Sequence, residues 1–109
     1  MKIYKIILII VSLLIITWLL LFKIIIGSGN SMLPTIPNKA ILLCMKQRNY
    51  KVGDIVYYQF DTYNVVHRII EIIDDGVLVQ YKTKGDGNEQ ADGYLITKTN
   101  IKCKVLERK

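Results

Sequence analysis

The chain opens on an almost unbroken apolar run and then changes period. From Ile6 to Phe22 no position is charged. With the aliphatic stem of Lys23 snorkelling to the headgroups, the run continues through Ile26, about 21 residues or roughly 31 Å of helix. That length predicts an uncleaved membrane anchor over residues 6–26, because a signal peptide has a shorter apolar stretch followed by a small-x-small cleavage site. Beyond it, short runs rich in β-branched and aromatic residues are separated by turn residues. "AILLCM" at 40–45, "IVYYQF" at 55–60, residues 64–73, "VLVQYKT" at 77–83 and "IKCKVL" at 101–106 read as strands. Gly53-Asp54 and Asp61 bracket the second, and Asp74-Asp75-Gly76 predicts a hairpin between the third and fourth. Pro34 and Pro37 keep the segment after Ser31 out of regular helix. The expected architecture is mainly β, with a short N-terminus (1–5), one transmembrane helix (6–26) and a compact antiparallel β domain (27–109).

Composition sharpens this picture. The chain has 109 residues, 51% of them hydrophobic, which suits one span plus one small domain. The roughly 80 residues after the anchor are marginal for an independent core, so docking on a membrane or a partner would help. The net charge of +6 raises the question of nucleic acid, and its distribution answers it. Lys2, Lys5 and Lys23 flank the apolar run, and Lys102, Lys104, Arg108 and Lys109 crowd the C-terminus, whereas eight basic and eight acidic residues cancel between 24 and 101. The excess therefore suits a membrane surface rather than a phosphate-tracking groove, and no nucleic-acid partner is expected. Lys2 and Lys5 before the run, against Lys23 after it, favour a cytoplasmic N-terminus and an extracytoplasmic domain in the cell membrane. Cys44 and Cys103 lack metal-ligand spacing; they read as two buried thiols, with a disulfide in an oxidising compartment as the alternative.

Candidate chemistry lies in three places. Ser31 stands in "GSGNSMLPTI", where Gly27, Ser28 and Gly29 allow the close backbone approach that an activated serine and its oxyanion need; a plain juxtamembrane linker is the bland alternative. His67, the single histidine, lies in "YNVVHRII", with 65, 67, 69 and 73 on one strand face and Glu71 interrupting it. A lone strand histidine is more often structural, but no other side chain has an unperturbed pKa suited to a general base near neutrality. Lys39, Lys82 or Lys84 would serve only if buried enough to lose the proton. Asp86 and Asp92 sit in the Gly-rich "TKGDGNEQADG", and either could orient the imidazole. The loop lacks the oxygen alternation and closing glutamate of an EF-hand, and no metal or cofactor is expected.

Together these segments resemble type I signal peptidases, the membrane-anchored enzymes that remove signal peptides from exported proteins. "GNSMLPT" resembles their serine box, "VVHRII" the next box and "TKGDGNEQAD" the acidic box. With histidine at 67 the resemblance is to the Ser-His branch of the endoplasmic reticulum, archaea and some spore-formers; most bacterial members carry lysine there. It implies Ser31 as nucleophile with its own N–H in the oxyanion hole, and His67 as base and then acid. It further implies Asp92 as the orienting acid ahead of Asp86, and Met32 packed beneath the site. Gly29 departs from members that have an oxyanion-donating serine there, and Gly87 from those with asparagine.

The implied activity is cleavage of preproteins after small side chains, the substrate adding as a strand to a sheet edge close to the lipid. The implied partners are signal-peptide-bearing preproteins and the bilayer, with translocation machinery or accessory subunits as further candidates. The competing reading is a non-catalytic, membrane-anchored β-domain that binds a partner protein. A Ser-Lys self-cleaving repressor domain is disfavoured by the apolar span and the lack of a DNA-binding segment.

Overall fold

The computed structural model describes residues 2–27 and 29–106; Met1, Ser28 and the terminal Glu107, Arg108 and Lys109 lie outside the described residues. Helix α1 covers Ile3–Leu21 and buries none of its side chains against the rest of the chain. The hydroxyls of Ser12 and Thr17 each donate to the carbonyl four residues earlier, Leu8 and Leu13, at 2.8 Å. The helix thus satisfies its own polar groups and presents hydrocarbon outward, as a lipid environment requires. It is long and apolar enough to cross a membrane.

The helix ends five residues earlier than the apolar run predicts. Phe22–Ile26 is instead strand β1, paired antiparallel with β2 (Ile41–Met45) from Phe22↔Met45 to Ile26↔Ile41. Neither hydrophobicity nor propensity separates this stretch from the helix, which itself holds Ile9-Ile10-Val11 and Ile15-Ile16-Thr17; the difference is that β2 supplies backbone partners for residues 22–26. Ser31 consequently lies ten residues beyond the helix instead of five beyond an anchor.

The remaining strands are β3 (Ile55–Phe60), β4 (Tyr63–Asp74), β5 (Val79–Lys84), β6 (Leu95–Thr97) and β7 (Ile101–Val105). They form one antiparallel sheet in the order β1-β2-β7-β3-β4-β5-β6. The hairpin predicted at Asp74–Gly76 is present: Gly76 takes φ +87, and Asp75 Oδ1 accepts from the N–H groups of Val77 and Leu78. Two buried clusters fill the domain. One, around Ile25, Met32, Ile36 and Ile55, underlies the Ser31 loop; the other, around Val56, Tyr58, Ile69 and Ile96, underlies β4 and β5.

Two features depart from simple alternation. The register of β4 on β5 shifts between Ile69 and Glu71, so Ile70 is the extra residue of a bulge. After it the inward face passes to Ile72, which packs on the second cluster, while Glu71 and Ile73 turn outward. The expected shared face of 65, 67, 69 and 73 therefore holds only to Ile69. The cysteines are buried as expected but are joined by a Cys44–Cys103 disulfide rather than free. They occupy adjacent strands two register positions apart on the core face, with Cα atoms 5.5 Å apart, inside disulfide reach. This bond crosses the narrowest join of the sheet: β2 and β7 share only Cys44↔Val105 and Met45↔Lys104, plus a bond from Leu106 N–H to the Leu43 carbonyl at 2.9 Å.

Candidate active site

Ser31 rides on the loop between β1 and β2. The loop is closed at its base by Gly27 N–H to the Ala40 carbonyl (2.9 Å) and Lys39 N–H to the Gly27 carbonyl (2.7 Å). A hydrogen-bonded turn follows, with Ile36 N–H on the Met32 carbonyl at 2.9 Å, and both side chains enter the core beneath the serine. Met32 is thus packed under the site. Gly29 holds φ +92, which side chains rarely adopt, and its N–H is held by Asn38 Oδ1 at 2.9 Å. No side-chain donor stands at that position. Among the described residues no acceptor takes the Ser31 N–H.

His67 is on β4 opposite Val56 and is 8% exposed. Its Nε2 lies 3.1 Å from Ser31 Oγ and its Nδ1 2.6 Å from Asp92 Oδ2. The three residues expected to meet do meet, although they are separated by 36 and 25 positions in sequence. Asp92 is positioned by backbone as well as side chain: its N–H donates to the Thr83 carbonyl at 2.9 Å. With the carboxylate accepting from Nδ1–H, Nε2 keeps its lone pair for the serine hydroxyl proton, the arrangement that general-base activation of serine requires.

Asp86, the other acidic candidate, is held elsewhere. Arg68 grips it in a fork, Nε to Oδ1 at 2.9 Å and Nη2 to Oδ2 at 2.8 Å, and Thr35 Oγ1 donates at 2.6 Å. The Arg68 hydrogen bonds hold the Asp86 carboxyl below the ordinary carboxylate range against the opposing effect of burial, with Thr35 and the guanidinium charge assisting. Arg68 also donates to the Gly53 carbonyl at 2.7 Å, so this ion pair ties the Gly53 turn, β4 and the acidic loop together. The loop is pinned to the serine segment at two further points, Gly87 N–H to the Ser31 carbonyl (2.7 Å) and Asp86 N–H to Met32 Sδ (3.3 Å). The glycine at 87 fits this docking, since a Cβ there would come within 2.8 Å of the Asn30 carbonyl oxygen.

Sequence reading missed the hydroxyls behind Asp92. Thr83 Oγ1 donates to Asp92 Oδ2 at 2.6 Å, Tyr58 OH donates to the same oxygen at 3.1 Å, and Tyr94 OH lies 2.8 Å from Tyr58 OH. Burial pushes the Tyr58 and Tyr94 phenols up, so both keep their protons. A signal existed: alternation places Tyr81 and Thr83 inward on β5, and a hydroxyl on a buried face must find a partner. Beside the triad lies a cleft of about 540 Å³, whose lining includes Ile25, Ile36, Leu42, Tyr57 and Val65 along with Ser31 and His67.

The Peptidase S24-like family model matches residues 22–82, more than half of the chain. The chain belongs to the Peptidase S24-like family. This is a family of serine peptidases that takes in signal-peptidase-I-like members, and a serine-peptidase kind of activity goes with it. The match begins where β1 begins and includes Ser31 and His67, but ends one residue before Thr83, ahead of the acidic loop. No curated protein and no solved structure matches the chain.

Proposed function

We propose that this Peptidase S24-like protein is a membrane-anchored serine endopeptidase of the signal-peptidase type, cutting exported preproteins after small residues. The observation that carries the reading is the continuous contact from Ser31 Oγ through His67 to Asp92, at 3.1 and 2.6 Å. In this mechanism Ser31 Oγ attacks the scissile carbonyl as its proton passes to His67 Nε2. Asp92 stabilises the imidazolium, and Ser31 N–H faces the developing oxyanion. The Nε2 proton then moves to the leaving amine, releasing the mature chain, and a water deprotonated by His67 hydrolyses the acyl-serine. General acid–base transfer of this kind contributes roughly 10²–10⁴-fold, and an oxyanion donor about 10²–10³-fold.

The substrate strand has two open backbone edges beside the cleft. Among the described residues β1 pairs only with β2, and the first part of β4, Tyr63–His67, pairs only with β3 because β5 joins at Arg68. An extended segment laid along either edge gains main-chain hydrogen bonds, while the cleft beside Ser31 accepts small side chains. The anchor reading draws on the outward-facing hydrocarbon of α1. Placement of the domain outside the cytoplasm draws on the Cys44–Cys103 disulfide, which persists in oxidising compartments. Asp86 serves the loop framework in this reading.

The test is cleavage of a small-x-small precursor by the full chain in detergent. Ser31→Ala and His67→Ala each lower the rate by more than about 10³-fold with thermal unfolding unchanged. A folded Ser31→Ala or His67→Ala protein that still cleaves overturns the mechanism. Wild-type protein that binds precursor without cutting it points to the non-catalytic alternative.

A further inference from the structure

We infer that Thr83 and Tyr58 are positioning residues, two buried hydroxyls that aim Asp92 Oδ2 at His67 Nδ1 and act on the reaction only through that carboxylate. The inference rests on the Ser31–His67–Asp92 reading and deepens it. Asp92 lies outside any strand, on the stretch between β5 and β6, and a carboxylate turns easily about its last torsion. Its oxygen is nevertheless fixed from three directions, by His67 Nδ1 at 2.6 Å, Thr83 Oγ1 at 2.6 Å and Tyr58 OH at 3.1 Å.

Both hydroxyl carriers are fully buried on strands. Thr83 and Tyr58 are each 0% exposed, on β5 and β3, the strands that flank β4. With Tyr58 and Thr83 both donating to Asp92, the proton between the two phenols comes from Tyr94, the 3.1 Å approach of Tyr58 OH to Thr83 Oγ1 carries none, and Nδ1–H donates to the same carboxylate oxygen. Three donors on one oxygen leave that carboxylate oxygen little freedom to turn away from His67. The donors therefore select both the orientation of Asp92 and the imidazole tautomer that leaves Nε2 open toward Ser31.

A purely structural role, fastening the acidic loop to β5, would leave the imidazole undisturbed, and His67 permits a direct check because it is the single histidine in the chain. With ¹⁵N-labelled imidazole in the full-length protein in detergent micelles, wild type gives an Nδ1–H signal at low field. Thr83→Val and Tyr58→Phe each move that signal upfield or broaden it by faster exchange, and Thr83→Ser restores it. In precursor cleavage the same two variants lower kcat about 10- to 100-fold, the scale of one hydrogen bond to a charged group, with KM changed less than about threefold. In an Asp92→Asn background Thr83→Val removes no more than about a further twofold.

The inference is overturned by an unmoved imidazole signal in folded Thr83→Val and Tyr58→Phe, or by losses that add fully to that of Asp92→Asn. If Thr83→Val fails to fold, Tyr58→Phe, which keeps the ring packing, decides. A wild-type protein that cleaves nothing counts against the peptidase reading, while the imidazole signal still decides the positioning role.

Discussion

Gly85→Ala is a one-methyl test of the site's geometry. Gly85 does not need a left-handed backbone, so the substitution acts through space alone. A Cβ there would press into the Ser31 carbonyl oxygen, 2.7 Å from Asn88 Nδ2 and 3.0 Å from His67 Nε2. The Asn88 amide is the end of a side chain and can swing aside. The Ser31 carbonyl cannot move freely, because it is backbone and accepts from Gly87 N–H at 2.7 Å. Regaining ordinary contact requires about 0.4 Å from the imidazole and more from the Ser31 peptide, so the serine and histidine are pushed apart from a starting separation of 3.1 Å. Misplacement approaching 1 Å costs on the order of 10²-fold in rate, and overpacking costs roughly 1–3 kcal/mol of stability. The assay is kcat/KM on a small-x-small precursor in detergent, at a temperature where near-UV circular dichroism shows both proteins folded. A Gly85→Ala protein within about threefold of wild type would refute the close approach on which the reading depends.

Two further outcomes follow from the framework around the site. The Cys44–Cys103 bond closes a separation of 59 residues, for which loop entropy gives a stabilisation of about 4 kcal/mol; Cys103→Ser, or a dithiol reductant that converts the bond to two thiols, should lower the urea midpoint sharply, and an unchanged midpoint would contradict the bond. Asp86, whose folded pKa lies below its ordinary 3.8, contributes stability that is complete above about pH 5 and drains away as the pH falls through 3.8 toward the depressed value. The stability difference between wild type and Asp86→Asn, followed by urea unfolding from pH 6 to pH 3, should therefore shrink in acid, and a constant difference would show that folding does not lower the Asp86 pKa.

The places where sequence reading stopped short have physical causes. Strands β3, β4, β5 and β7 were legible because alternation and turn residues agree over five or more positions. β1 was not, because "FKIII" continues an apolar run in which period cannot separate helix from strand, and only pairing with β2 settles it. β6 is three residues long, too short for alternation to register. The bulge at Ile70 leaves one trace in the sequence, Glu71 on an otherwise apolar face, but its cause is the register of β5, a long-range fact. Residue type pointed to Ser31 and His67, whereas the division of labour between Asp92 and Asp86 depends on which carboxylate Arg68 reaches first, and that follows from β4 and the acidic loop lying side by side.

The narrow join between β2 and β7 divides the machinery unevenly. The hydroxyl belongs to the arm continuous with the N-terminal helix, while the imidazole and carboxylate belong to the broad slab beyond β7. The serine-to-imidazole gap therefore spans two parts of the sheet, and two fastenings hold it: the sulfur bridge at the join, and the acidic loop, which reaches across to the serine segment through Gly87 N–H on the Ser31 carbonyl and Thr35 on Asp86.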